Sequence, residues 1–363
     1  MTGDVVAAEQ PGKRNNIMDA STHYGVSFAD ILQVWLRVAA LAQPVSSSPD
    51  LSRYAAGRMT FPTRDHRSQQ MLKHAVLAAT LSIGLTALPA AAADWTKVAE
   101  ALGKPGTEMA GGVYRVGMPR TDLHVTLDGV EIKPTLALGS WLAFRGEGDM
   151  AMVMGDLVLT DAEVNPVMKK LEDSGMEITA LHNHLLRANP ATFYMHVLGH
   201  GDPVKMAAAL HAVLALSGTP MAAAPAAAPP PALDLDTAMI DRVLGAKGTV
   251  AGGVYQVGIK RAETIMDGGM EVSVAMGSAE AINFQPTGGG KAAITGDFVL
   301  TAKEVNPVIR TLRENGIEVT ALHNHMLDDE PRLFFMHFWA NDDAVKLAAG
   351  LRKALDQVNV ARS

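Results

Sequence analysis

Cysteine is absent from all 363 residues. Its absence excludes disulfides, a thiolate metal site, a cysteine nucleophile and a lipid-acylated cysteine. Basic residues are in the minority, 31 Lys and Arg against 38 Asp and Glu, and they form no runs. Nucleic acid and anionic membrane surfaces are therefore poor candidates as partners. No Gly-X-Ser-X-Gly nucleophile elbow occurs, and no phosphate-binding glycine loop; Gly288-Gly289-Gly290 reads as a hairpin tip. The 20 methionines are mostly scattered at apolar positions such as Met150, Met152 and Met154, as core filling requires, so a thioether copper site is not supported.

What is present in their place is histidine, arranged twice. Ala180-Leu181-His182-Asn183-His184 is followed by Phe193-Tyr194-Met195-His196. The same pattern returns 141 residues later as Ala321-Leu322-His323-Asn324-His325 and Phe334-Phe335-Met336-His337. Imidazole is the commonest metal ligand and the usual proton shuttle near neutral pH.

The first 93 residues read differently from the rest. From Met71 a short basic segment leads into the apolar run Ala75–Leu88, then Pro89 and Ala90-Ala91-Ala92-Ala93. That is the pattern of a secretory signal peptide, residues 71–93, with cleavage expected after Ala93. The run is too short to cross a bilayer comfortably. Residues 1–70 are then read as a mis-annotated N-terminal extension, the alternative being a genuine extension with a helix around Phe28–Ala42. The mature chain would hold 23 basic and 32 acidic residues, a net charge of −9. The expected location is the periplasm or the exterior, without stable membrane insertion after cleavage.

Beyond Ala93 the chain reads as one domain written twice. An Ala/Pro-rich linker, 217–235, separates a first repeat at 94–216 from a second at 236–358. Gly111-Gly112-Val113-Tyr114 matches Gly252-Gly253-Val254-Tyr255, and Glu163-Val164-Asn165-Pro166-Val167 matches Glu304-Val305-Asn306-Pro307-Val308. Each repeat reads as a short helix (Trp95–Leu102), several strands to about Leu159, and a helix to Lys170–Ser174. Two histidine-bearing strands and a closing helix (Asp202–Leu216) follow. The expected class is α+β, a tandem duplicated domain, each copy a mostly antiparallel sheet with helices packed on it. Thr160 and Glu163 have capping-box spacing, while Pro166 equally suits the first turn of a helix capped by Asn165.

Alternation along a strand projects His182 and His184 from one face, continuing Met176, Ile178 and Ala180. A hairpin centred near Asn189 would set His182 opposite His196 and His184 opposite Tyr194. Three imidazoles then occupy three corners of a tetrahedron and leave the fourth open. Nine histidines follow Ala93, and six of them form these two triads. A neutral hydrogen-bonded cluster and an anion site of protonated imidazoles are the rival readings. Asp156 and Asp297 could orient an imidazole, with a turn-stabilising role as the default. Glu163 and Glu304 could serve as general bases, with helix capping as the default. Arg120 and Arg261 could hold an anion. His124 and His200 have no histidine counterpart in the second repeat.

With these motifs in order twice, the chain resembles the LppY/LpqO lipoprotein-type family, exported bacterial proteins built on a domain of unknown function. The resemblance covers nearly all of both repeats. It implies an envelope location, and it carries His182, His184, His196, His323, His325 and His337 as the matching positions. The missing acylated cysteine departs from the lipoprotein members. Gly199-His200-Gly201-Asp202 looks family-like, whereas Ala340-Asn341-Asp342-Asp343 has diverged. The resulting expectation is a metal-binding protein with a divalent transition metal, zinc foremost, at a three-histidine site in each repeat. The alternatives are a metal-dependent hydrolase assisted by Glu163 or Asp156 (and Glu304 or Asp297) acting on an envelope-derived substrate, and a structural module with core histidines.

Overall fold

The strand Met150–Leu159 is apolar on both of its faces, and such a strand must be covered twice. In the computed structural model, which describes residues 94–147, 150–222 and 232–361, it is. The expected signal peptide and N-terminal extension lie outside the described residues, as does the middle of the linker.

The first repeat runs α1 (Trp95–Leu102), β1 (Thr107–Met109), β2 (Val113–Pro119), β3 (Thr126–Leu127), β4 (Val130–Glu131), α2 (Pro134–Ala137), β5 (Gly139–Glu147), β6 (Met150–Leu159), α3 (Asp161–Asp173), β7 (Glu177–His182), β8 (Phe193–Gly201) and α4 (Pro203–Leu214). The second repeats the order with α5 (Thr237–Leu244), β9 (Thr249–Ala251), β10 (Val254–Lys260), β11 (Met266–Asp267), β12 (Met270–Glu271), β13 (Ala279–Gly288), β14 (Lys291–Thr301), α6 (Ala302–Glu314), β15 (Glu318–His323), β16 (Leu333–Asp343) and α7 (Ala344–Leu355). A 3₁₀ turn at Val274–Met276 replaces α2. Two antiparallel six-stranded sheets result, ordered β1-β2-β5-β6-β8-β7 and β9-β10-β13-β14-β16-β15. The expected tandem α+β class is what is found.

Local chemistry sets the helix ends. Asp94 accepts from the Lys97 N–H at the start of α1, and Gly103 closes it at φ 77°. Of the two starts open to α3, the chain takes the earlier: the Glu163 carboxylate accepts the Thr160 N–H at 2.7 Å, and Pro166 falls inside the helix. Glu163 is also clamped by Arg120, whose Nη1 donates to it at 2.8 Å and to the Val158 carbonyl at 2.6 Å. Arg261 binds Glu304 and the Val299 carbonyl in the same way. Burial favours the neutral form of Glu163, but the bonds from Arg120 outweigh it and hold the carboxyl below its usual range. These arginines serve the fold and are not open to an anionic ligand.

Each sheet buries its outer face under its helices. Leu142, Val153, Leu157, Met195 and Val197 meet Val98, Leu102, Leu171 and Leu210; Phe284, Ile294, Phe298 and Phe338 meet Ile240, Leu312, Leu347 and Leu351. The inner faces turn toward one another. Met152, Met154 and Leu198 share a core with Ile265, Val272, Met276 and Phe335. Val158 and Tyr194 share another with Val254, Ala293 and Trp339. Met150, by contrast, is exposed. Arms reach across reciprocally. The Lys133 N–H donates to Gln285 Oε1 at 2.8 Å, the Gln256 amide to the Thr135 carbonyl at 2.9 Å, and Arg115 to the Ala275 carbonyl.

Gly296 sits where this arrangement leaves no room. A Cβ there would lie 1.8 Å from the Ala281 carbonyl oxygen. Gly296→Ala is expected to cost roughly 1–3 kcal/mol by forcing the strands apart. A thermal melt unchanged from wild type would refute this.

Candidate metal centre

The histidine strands meet on the inner faces, and a β-bulge puts them there. Ile178 pairs with Val197, but Ala180 pairs with His196, so β7 carries an extra residue at Thr179. The bulge reverses the alternation. Ile178 packs on the helical side, whereas His182 shares the inner face with His196. Met176 and Ile178 therefore do not continue the histidine face, contrary to the simple alternation. The hairpin register also differs from expectation: His182 faces Tyr194, and His196 faces Ala180. An offset of two residues still leaves His182 and His196 on one face. His184 lies just past the end of β7.

Because both inner faces carry histidines, the two triads merge into one cluster. The His182 and His323 rings stack at 3.6 Å. His184 lies 3.7 Å from His337, and His196 lies 3.8 Å from His325. His182 Nε2 is 3.3 Å from His337 Nε2. Two groups bring ligand atoms within 4.8 Å of one another: His182, His323 and His337, and His196, His323 and His325. Each group draws on both repeats, whereas the expectation was one triad inside each. The flanking loops are locked in place across the boundary. Thr179 Oγ1 donates to the His325 carbonyl, and Thr320 Oγ1 to the His184 carbonyl, both at 2.6 Å. His184 stacks on Tyr194 and His325 on Phe335, each at 3.4 Å.

The ring nitrogens divide into oriented and bare ones. His337 Nδ1 donates to the Gly296 carbonyl at 2.7 Å, and backbone bonds link His196 to Gly155 and His325 to Gly277. A carbonyl only accepts, so Nδ1 carries the proton and Nε2 presents a lone pair, the usual support for a ligating imidazole. His182 Nδ1, the Nε2 atoms of His184, His196 and His325, and both nitrogens of His323 are buried without a hydrogen-bond partner. Burial, and then repulsion from the neighbouring imidazoles, holds His182, His184, His196, His323 and His325 far below the usual imidazole range. Neutral rings are what a metal requires, and a site of protonated imidazoles binding an anion is disfavoured.

Asp156 and Asp297 stand directly beside His196 and His337 in the sheet ladders. Asp297 Oδ2 is 3.2 Å from His325 Nε2, and Asp156 Oδ2 is 3.6 Å from His184 Nε2. Burial, reinforced by the nearby Asp297, raises Asp156 to about 8. Burial raises Asp297 to about 6, against the pull of His337. Both belong to the cluster and stabilise no turn. Glu163 and Glu304 are committed to Arg120 and Arg261. His124 is exposed beside Glu131, and His200 is exposed on β8.

A cavity of about 630 Å³ opens onto the cluster, lined by His184, His196, His325, His337, Asp156 and Asp297 among residues of both repeats. Sequence reasoning missed the threonine locks and the inter-repeat sharing of ligands. The doubly apolar pattern of β6 was the one available sign that a second layer covers the sheet.

A family model described as Domain of Unknown Function (DUF1259) matches residues 96–216 and again 238–357. No curated protein matches the chain. Among solved structures, the trimeric bacterial microcompartment shell protein PduB is 12% identical over 70% of this chain and 95% of its own, with a TM-score of 0.17. EtuB from Clostridium kluyveri is 10% identical over 69% and 90%, with a TM-score of 0.16. At those scores neither likeness carries an argument.

Proposed function

The chain belongs to the DUF1259 domain family, with two tandem copies, and from that premise we propose that it binds a divalent transition metal, zinc foremost, at one composite centre between the copies. The buried, partnerless imidazole nitrogens carry this reading. Leaving a buried polar atom unpaired costs about 1–3 kcal/mol, and six such ring nitrogens lie on five neutral rings, each with one lone pair to give, gathered where a cation would draw its ligands from them. Nitrogen and carboxylate donors around an accessible cavity suit zinc. Bound there, zinc supplies Lewis-acid polarisation of a coordinated group.

The segment 71–93 and the resemblance to LppY/LpqO-type proteins support export, so we place this binding in the periplasm or outside the cell. A hydrolase acting on an envelope-derived substrate is the second reading, favoured by the cavity. Asp156 and Asp297 stand within it to take or give a proton, whereas Glu163 and Glu304 are tied into the fold.

The test is elemental mass spectrometry on the purified full chain, beside a His182→Ala/His323→Ala variant whose folding is checked by circular dichroism. Near-stoichiometric zinc or another transition metal, lost in the folded variant, is expected. If wild type holds none after incubation with zinc, copper, nickel and manganese, the centre does not exist.

A further inference from the structure

One cation at the cavity has no assigned task. Arg115 lines it with its guanidinium carbon 4.1 Å from the Trp141 ring centroid, over the indole. Its hydrogen bond goes to the Ala275 carbonyl, and no carboxylate among the described residues pairs with it within 4 Å. The second repeat shows what the fold itself requires here. Gln256 occupies the matching place and makes the matching bond, to the Thr135 carbonyl. A neutral amide is therefore enough to clasp the opposite arm. The charge of Arg115 is surplus to the clasp and is held at a desolvation cost: burial lowers the guanidinium to about 10, partly offset by Asp156, and it stays charged at neutral pH.

The surroundings say what the charge is for. On the inner face Trp141 pairs with Asp156, and Asp156 with His196. Guanidinium, indole, carboxyl and imidazole thus follow one another toward the histidine cluster. Pro119, on the same face of β2 as Arg115, and Val274 add apolar wall to the same cavity. A planar fork of donors matches a carboxylate in two-point fashion, and an apolar wall beside it suits a small organic body. In the second repeat Ala281 stands where Trp141 does, paired with Asp297, so the recognition is one-sided.

We propose that the inter-repeat cavity is a binding site for a small organic carboxylate, held by Arg115 and walled by Trp141, Pro119 and Val274, with its remainder directed to the histidine–aspartate cluster. This deepens the metal reading and rests on it for what meets the remainder of the ligand; the carboxylate anchor stands on Arg115 alone.

The experiment is isothermal calorimetry of the full chain with benzoate and succinate, with benzamide as the uncharged control, before and after zinc loading. Arg115→Gln is the informative variant, because the second repeat shows that glutamine supports the clasp. At least one carboxylate is expected to bind wild type, and Arg115→Gln to weaken it by roughly tenfold to a hundredfold. Benzamide is expected to bind no better than it does to the variant, with metal content and circular dichroism unchanged between the two proteins. Equal carboxylate affinity in the variant, benzamide binding as tightly as benzoate, or no carboxylate binding with or without zinc would each overturn the proposal. Arg115-dependent binding in a protein that never takes up metal would uphold the anchor while removing the metal reading. Stable zinc without any carboxylate binding would do the reverse.

Discussion

Changing His323 to alanine is expected to weaken zinc binding by on the order of a hundredfold or more, and by more than His196→Ala or His337→Ala. His323 belongs to both groups that bring three ligand atoms together, whereas His196 and His337 each belong to one. Structural zinc binds with about 10–16 kcal/mol. Shared among four ligands, that is about 3 kcal/mol each, or about two decades in affinity. Competition against a chromogenic chelator measures this directly, with His124→Ala as the exposed control. Indistinguishable affinities for His323→Ala and wild type would show that the cluster is not the ligand set.

The metal-free chain is expected to lose stability steeply on mild acidification. Five imidazoles are held neutral when folded, by burial first and by one another next. Released by unfolding, they take up protons below about pH 6.5. A depressed folded pKa gives stability that is present above the unfolded value and disappears as pH falls. Three carboxyls act in the opposite sense, all raised chiefly by burial: Asp156 to about 8, Asp297 to about 6, and Glu280 well above its usual range. Their contribution is present below the unfolded carboxyl range and is lost as pH rises through the folded values. Between about pH 4.5 and 6 the balance is about two protons taken up on unfolding, or about 3 kcal/mol per pH unit. Stability should therefore peak near the imidazole range. Urea melts of chelator-treated protein at pH 7, 6 and 5 test this, and a free energy that stays level across them would contradict the buried neutral cluster.

Much of the repeat could be read directly from residue patterns. Helix α1 follows from its apolar spacing between Asp94 and Gly103, and the six histidines stood out as a duplicated set. The partition of that set did not. The bulge at Thr179 inverts the face of everything after it, and nothing in the string Glu177-Ile178-Thr179-Ala180 marks it, since Thr and Ala suit either side. The two-residue register offset in the hairpin arises from the loop between His182 and Phe193, whose Asn189 exchanges backbone bonds with Thr126. That partner is distant in sequence and belongs to no recognisable turn type. Nor does periodicity distinguish two sheets buried separately from two sheets buried against each other. Both give strands like β6, apolar on both faces. The assignments of Glu163 and Glu304 to capping were correct in kind, but their arginine partners lie 43 residues away in the chain and were invisible.

The shared inner face also bears on what half of this chain would be. Each repeat alone would expose the surface formed in repeat one by Met152, Met154 and Leu198, and it would hold only part of either ligand group. A lone copy must find a second copy to hide that surface, so its ligand affinity would be diluted away with concentration, as mass action requires of any dimer. Joining the copies by a short tether replaces that search with a fixed effective concentration, in the millimolar range for short flexible connections. It also removes the symmetry a pair of identical subunits would impose. One half can then carry an arginine where the other carries glutamine, and a bound molecule can have a head and a tail.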